Sequence, residues 1–467
     1  MSQTVAVVVT LVVYQVVLLG VGYWARTRSV SVDGFLIGER NLGPWVAALS
    51  YAAGSSSAWS ILGVSGIAFS QGLGSIWLIP GTITGHIVVW FWIAPRLQAL
   101  SAEHRWVTLT DLLASGMGEI AGRQLSALAA LVTLFCFVFY VAAQFQGAAN
   151  TFTSIFEFDF ITALLIGVVV VVTYTYWGGF WAVSLTDALQ AVLMLAASVV
   201  LPLTAYLAIG GLDGLADAYD PDASYWQLTS SHAGWYAVGF FIGMVSIGFG
   251  PLGQPHLLNR IMALRTKADV ARARTVALVW FTLVLSGMYL LGVCAHIAFA
   301  ENATESEQIF FVAAQAWLPA IFTGVLIAAV LSAIMSTADS QLLVAGAAIQ
   351  HDLMRGRSQR SPAFFARLCI LGVALLATLL AIFLPESIFS RVLFAWTALG
   401  AAFGPLVIAR LIGWRIPDGA ALLAMALGFG LTVVFYSLPN GPGDVWERTI
   451  PFVAGFVTLL AARTSSR

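Results

Sequence analysis

Apolar runs of about 20 residues, separated by short polar breaks, recur along nearly the whole chain. An α-helix needs about 20 apolar residues to cross the hydrocarbon core of a bilayer. The pattern predicts about 13 spans, centred near Val12, Ser56, His86, Phe137, Val168, Met194, Phe241, Leu285, Ala329, Val373, Thr397, Leu427 and Val457. The second, seventh and ninth spans carry small or polar residues at their centres. The second holds SYAAGSSSAWS (residues 50–60) and the seventh holds SIGFGPLGQPH (residues 246–256). A glycine inside a helix costs about 1 kcal/mol against alanine. Serine competes for local backbone hydrogen bonds, and proline removes a donor and clashes with the preceding turn. Both stretches therefore predict broken helices, with backbone carbonyls freed near Ala53 and Ser56. Small-residue packing between helices is the rival reading of the second span.

Composition places this pattern in a membrane. Of 467 residues, 60% are hydrophobic and 9% charged, and the net charge is −1; soluble domains carry about 25% charged residues. Nothing in this balance suits a nucleic-acid partner. The first apolar run, residues 5–24, lacks a preceding cationic segment and reads as a retained helix rather than a leader. Cys136, Cys294 and Cys369 lie in apolar runs, without metal-binding spacing, and read as small buried hydrophobes.

Charge placement sets the orientation. With 13 spans, 21 basic residues fall on one side except Arg391 and Arg448, the asymmetry expected of cytoplasmic loops. The largest loop opposite, residues 210–234, carries Asp213, Asp217, Asp220 and Asp222 and no Lys or Arg. The expected topology is N-terminus outside and C-terminus inside. The segment of residues 256–275 reads as a short basic connector, with His256 structural, and the chain as a single transmembrane domain over residues 1–467. The sequon at Asn302 falls outside.

Two carboxylates, Asp187 and Asp339, are left inside spans, with no Lys or Arg expected at that depth. A charge at mid-helix costs about 2.5–3.5 kcal/mol, and such residues mark pathways. Ser336, Asp339 and Ser340 share one helix face, as do Ala333, Ser336 and Thr337 one turn earlier. Oxygens of this kind suit a hard cation, or the acids a proton. Interrupted segments in corresponding positions of oppositely oriented halves point to an inverted-repeat transporter, with spans 2–6 and 7–11 as repeats.

IGERNLGPWVAALSYAAGSSSAW, WGGFWAVSLTDALQ, GQPHLLNR and LSAIMSTADSQLLVAGAAIQHDL resemble the sodium:solute symporter family, in particular its bacterial sodium/proline symporters. The resemblance covers about residues 5–415. It implies an all-α, polytopic membrane protein of the leucine-transporter type, with 13 helices and an outside N-terminus. Carried over by motif, the main sodium site uses Ala53 and Ser56 carbonyls with the Ala333 carbonyl and the Ser336 and Thr337 hydroxyls. Asp187, Ser336, Asp339 and Ser340 match a second sodium site, and Arg40 matches an inner-gate arginine. The sodium/proline symporters carry an acid where this chain has Ser55, and aromatic residues where it has Ile247 and Pro251. Tyr140 and Pro255 match pocket positions. Ser55, Ser57, Trp59, Ser60, Gln144, Pro251 and Gln254 complete the candidate solute pocket, expected between spans 2, 4 and 7.

The expected function is import of a small neutral or zwitterionic solute, an amino acid such as proline, coupled to Na+ in the plasma membrane by alternating access. The solute carboxylate is expected at a half-helix N-terminus. No obligate protein partner is expected. The rivals are a proton-coupled carrier using Asp187 and Asp339, and a transporter-like sensor, against which the chain's ending near its last span is expected to tell. A membrane enzyme lacks any matching motif.

Overall fold

The computed structural model describes residues 3–25, 34, 37–177, 179–300, 305–354, 362–384, 386–439 and 441–463. Arg26, Arg28, Arg355, Arg357, Arg360, Arg467 and the Asn302 sequon lie outside the described residues.

Helices account for almost all of the described chain. They run α1 (Gln3–Ala25), α2 (Pro44–Ser55), α3 (Val64–Gln71), α4 (Leu78–Val88), α5 (Ala94–His104), α6 (Leu109–Leu113), α7 (Glu119–Phe156), α8 (Phe160–Trp177) and α9 (Phe180–Ala208). They continue with α10 (Gly211–Ala218), α11 (Trp235–Ser246), α12 (Pro255–Met262), α13 (Lys267–Phe299), α14 (Ile309–Trp317) and α15 (Ala320–Ala347). The last are α16 (Pro362–Phe383), α17 (Ile388–Ile412), α18 (Asp418–Tyr436) and α19 (Val445–Ala462). Among the described residues there is no strand, only an isolated bridge between Leu42 and Leu264. Among the described residues, nine helical stretches are long and apolar enough to cross a membrane, with shorter apolar helices at Val7–Val21, Phe160–Thr173 and Arg367–Phe383.

Burial separates a core from a lipid-facing periphery. Along α17, 94% of the apolar window is buried, and 78% along the stretch containing α15, against 28% on α18. Val8, Val12 and Val16 of α1 are exposed, as apolar residues facing lipid tails should be. α9 packs on α2, α13 and α15, and α2 also touches α13 and α15. The three cysteines are free and buried.

Both expected breaks are present. α2 stops at Ser55 because Ser56 leaves helical geometry (φ −101°, ψ 84°), and a wide turn over Trp59–Gly63 leads into α3. α11 gives way to a tighter turn over Ile247–Gly253, and Gln254 is extended before Pro255 opens α12. Glycines let this second break pack closely. A Cβ on Gly85 would lie 2.1 Å from the Gly248 carbonyl oxygen, and one on Gly250 1.8 Å from the Trp396 indole nitrogen.

One sequence expectation is corrected here. Residues 255–262 are not a basic connector but the buried helix α12, the resumption of the broken span. Its eight residues are too few to register as a span, and their charges merged with the basic loop that follows.

Candidate functional site

The break in α2 brings its oxygens against α15. Ser336 Oγ donates to the Ala53 carbonyl (3.1 Å) and to its own turn at Ala333 (3.3 Å). Thr337 Oγ1 reaches the same Ala53 carbonyl at 3.5 Å. Ser56 sits at the break with its Oγ buried and unpartnered, its N–H bonding the Ala52 and Ala53 carbonyls. Four of the five expected main-site residues thus meet directly across two helices, and the fifth caps the break. The donor set is neutral oxygen, which suits a hard monovalent cation. Among the described residues no cluster of three His, Cys, Asp or Glu side chains competes for a metal.

Next to it lies a second polar cluster. Asp187 on α9 accepts from Ser50 (2.7 Å) and Ser340 (3.4 Å) at Oδ2, while its Oδ1 has no partner. Both oxygens of Asp339 are buried and unpartnered. The expectation that no basic group sits at this depth fails. Arg260 on α12 is fully buried, pairs with Asp187 Oδ2 at 3.3 Å and also donates to Ser340. It further donates to Ser50 (3.2 Å) and the His256 carbonyl (2.8 Å). Sequence reasoning missed it because it stands four residues past His256, just beyond the break, where the apolar run had ended. Its presence leaves two acids and one guanidinium, a residual negative charge of one if both acids ionise.

A narrow cavity of about 10 Å3 lies by the break, lined by Ser55, Trp59, Ser60, Thr82, His86 and Tyr140 with apolar side chains of α13 and α17. That volume is about the least that holds one water molecule, so a solute requires its walls to part. Of the expected pocket residues, Ser55, Trp59, Ser60 and Tyr140 line it. Ser57 and Gln144 stand behind: Ser57 Oγ accepts the Trp59 N–H (3.1 Å) and Gln144 accepts the Ala58 N–H (3.0 Å). Pro251, Gln254 and Pro255 do not line it. Gln254 donates to the carbonyls of Gly250 (3.2 Å) and Trp396 (3.0 Å), and Trp396 seals the second break by donating to Ile247 (3.1 Å). The cavity therefore faces spans 2, 3, 4, 8 and 11 rather than the seventh, because α17 stands between. Thr82 and His86 were not anticipated: LIPGTITGHIV holds three polar side chains, Thr82, Thr84 and His86, and nothing in the pattern separates the exposed Thr84 from the two that line the cavity.

The Trp59 and Phe389 rings, with centroids 5.9 Å apart, stand between this cavity and a larger one of about 480 Å3 lined by Phe389, Ser230, His232, Glu307 and Arg448. On the opposite face Arg40 donates to the Met262 carbonyl (3.3 Å) and to that of Trp106, tying the chain before α2 to the end of α12 and the segment after α5. Nearby, His351 pairs with Asp111 of α6 (3.0 Å). Burial pushes the Asp111 carboxyl up, but the hydrogen bond and charge of His351 and the N–H groups of Thr108 and Val107 prevail and hold it below the usual range.

Residues 35–428 match the profile of the Sodium:solute symporter family. The chain is similar to the high-affinity proline transporter PutP of Bacillus subtilis, 33% identical over 95% of this chain and 94% of that protein. It is 31% identical to the osmoregulated proline transporter OpuE of the same organism, covering 100% and 97%. It is also 31% identical to the sodium/proline symporter of Escherichia coli, covering 93% and 88%. Among solved structures, the chain superposes on a Na+-coupled sialic acid symporter in a substrate-bound outward-open state (TM-score 0.79, 16% identity, 99% of both chains). It also superposes on Mhp1, a nucleobase-cation-symport-1 family transporter, in a closed conformation (TM-score 0.59, 14% identity, 91% and 92%). These likenesses show a shared all-helical transporter fold of the leucine-transporter type.

Proposed function

The chain belongs to the sodium:solute symporter family and is a sodium-coupled carrier of the plasma membrane, not an enzyme; we propose that its solute is proline or a closely similar amino acid. The proline-transporter relatives support that solute class. The observation that carries the coupling reading is the junction of the Ala53 carbonyl with Ser336 and Thr337 across the broken α2. The reading includes a single domain of 13 spans, N-terminus outside and C-terminus inside, with inverted repeats at spans 2–6 and 7–11. It requires no nucleic acid and no obligate protein partner.

In the proposed cycle, Na+ enters between α2 and α15 and takes oxygens of Ala53, Ser56, Ala333, Ser336 and Thr337. The hydroxyls that now bridge the two helices turn their lone pairs to the ion. That exchange ties α2 to α15 and fixes the break against which the solute pocket closes. Na+ drives the cycle only through its preference for one state. One ion moving down about 100 mV and a tenfold gradient supplies roughly 3.7 kcal/mol, enough for about 500-fold accumulation of a neutral solute. Asp187, Ser336, Asp339 and Ser340 form the proposed second Na+ site. The unpartnered oxygens of Asp187 and Asp339 and the residual charge left beside Arg260 both suit one further monovalent cation. Arg40 is proposed to latch the cytoplasmic gate.

Thermal unfolding of purified protein with L-proline, in sodium and in matched potassium, tests the solute reading. A ligand bound only by the folded state stabilises by RT ln(1 + [L]/Kd). A proline shift that requires sodium is expected; a proline shift equal in potassium would transfer the coupling to protons.

A further inference from the structure

The half-helix N-terminus after the break cannot offer its first amides to a solute, because the protein already uses them. Gln144 Oε1 takes the Ala58 N–H, Ser57 Oγ takes the Trp59 N–H, and the Ser57 carbonyl takes the Ser60 N–H. A carboxylate in this cavity must find other donors.

Ser55 Oγ is already turned to the Ala52 carbonyl; of the other polar side chains lining the cavity, which include the Ser60 and Tyr140 hydroxyls, three stand out. Trp59 Nε1 and Thr82 Oγ1 border the cavity, are buried, and have no hydrogen-bond partner. A buried indole N–H or hydroxyl without a partner is costly, and in a native protein it calls for an explanation. His86 is the third. It lies one helical turn beyond Thr82, on the same face of α4. Its Nδ1 stands 3.0 Å from the hydroxyl of Tyr51, and its ring stacks on Phe281 with centroids 3.8 Å apart. Tyr51 is fully buried, and His86 is its hydrogen-bond partner. Its hydroxyl proton therefore goes to Nδ1, since the reverse arrangement would bury that proton without an acceptor. A neutral imidazole that accepts at Nδ1 carries its proton at Nε2. The tautomer is thus set from behind, which leaves the Nε2–H of His86, a residue lining the cavity, as its one ring donor.

We infer that Trp59, Thr82 and His86 form the carboxylate-recognition site of the carrier, an all-neutral set of donors: indole N–H, hydroxyl and imidazole N–H. The inference rests on the amino-acid reading above and deepens it. A neutral site binds the carboxylate of a zwitterion without trapping it, as a lysine or arginine would. Phe281, Leu285, Val392 and Leu393, on the remaining walls, supply the surface for an apolar side chain or ring. Solutes that bring no acceptor leave the three donors unpaired and are rejected for that reason.

The test compares L-proline with L-prolinol, its alcohol counterpart, by thermal shift in sodium and in potassium. The proteins are the unsubstituted carrier, Thr82→Val, Thr82→Ser and His86→Phe. The phenyl ring of His86→Phe preserves the stacking on Phe281. In the unsubstituted carrier proline should bind roughly 10- to 100-fold tighter than prolinol, the range for hydrogen bonds to a charged group. Thr82→Val and His86→Phe should each weaken proline about tenfold or more and leave prolinol within about threefold. Thr82→Ser should bind proline as the parent does. Sodium alone should shift all four proteins equally, which reports that each is folded with its ion site intact. Prolinol binding as tightly as proline would overturn the inference, as would unchanged proline affinity in both Thr82→Val and His86→Phe. If a variant fails to fold, the proline–prolinol ratio of the parent decides. Discrimination against prolinol without any need for sodium would overturn the coupling reading and leave this inference standing.

Discussion

Replacing Arg260 by methionine keeps most of the side-chain volume and removes one positive charge from the centre of the protein. The ion pair with Asp187 is wholly buried, with both side chains at 0% exposure. Asp187 would keep its bonds from Ser50 and Ser340, so the loss is chiefly of charge compensation. Removing one partner of a buried pair costs about 3–5 kcal/mol, because the remaining charge is left in a poorly polarisable interior. Entropy of unfolding grows with chain length, so for 467 residues about 1 kcal/mol corresponds to roughly 1 °C. The Tm of Arg260→Met in sodium-free buffer should therefore fall by roughly 3–5 °C. Asp187→Asn combined with Arg260→Met removes both charges and should recover most of that loss, since a neutral pair of similar volume is close to isoenergetic with a buried ion pair. Sodium should stabilise the single variant more than the parent, because the uncompensated carboxylates then attract the cation more strongly. The assay is fluorescence-detected thermal unfolding of the four proteins of the cycle, with and without sodium. An unshifted Arg260→Met, or a double variant no more stable than the single one, would refute the reasoning.

Three further outcomes are expected. Ser336→Ala and Thr337→Ala should each raise the sodium concentration for half-maximal solute binding about tenfold, while proline affinity at saturating sodium stays within about threefold; binding titrations in sodium check this. Gly85→Ala and Gly250→Ala should reduce the yield of folded carrier on size-exclusion chromatography. The added Cβ meets a backbone oxygen in one case and the Trp396 ring in the other, and overpacking of this kind costs at least about 1–3 kcal/mol. The Asp111 carboxyl is held below its unfolded value, so its contribution is present above about pH 4 and disappears as the pH falls through its folded value. Unfolding of the parent should steepen with acid below about pH 4 relative to Asp111→Asn, and parallel curves would remove the Asp111–His351 pair from the account.

The parts of the site that depend on backbone breaks were legible in the sequence. Gly54 with Ser55–Ser57, and Pro251 with its flanking glycines, are residues that helices tolerate poorly, so their positions announced both interruptions. Ala53, Ser336 and Thr337 followed from helix spacing and family resemblance, and they meet in space. What was illegible depended on which way a side chain points. Arg260 belongs to a stretch rich in charge that reads as loop, yet its helix is held inside by Pro255, Leu257, Leu258 and Ile261, all buried. Thr82 and His86 lie on a mostly apolar helix that also carries Thr84, and no local pattern distinguishes a polar residue facing a cavity from one on the outer face. Gln254, Pro251 and Pro255 show the converse. Their residue types suit a pocket, but α17 stands against the second break and turns them away from the cavity.

The most direct test of the account is uptake of labelled proline into sealed proteoliposomes containing the purified carrier. The gradients imposed are inward sodium with matched pH, inward protons without sodium, and potassium alone. Accumulation above the external concentration with the sodium gradient, abolished when sodium is equal on both sides at zero potential, is the expected result. Accumulation driven equally by the proton gradient in sodium-free buffer would contradict sodium coupling at the Ala53–Ser336 junction.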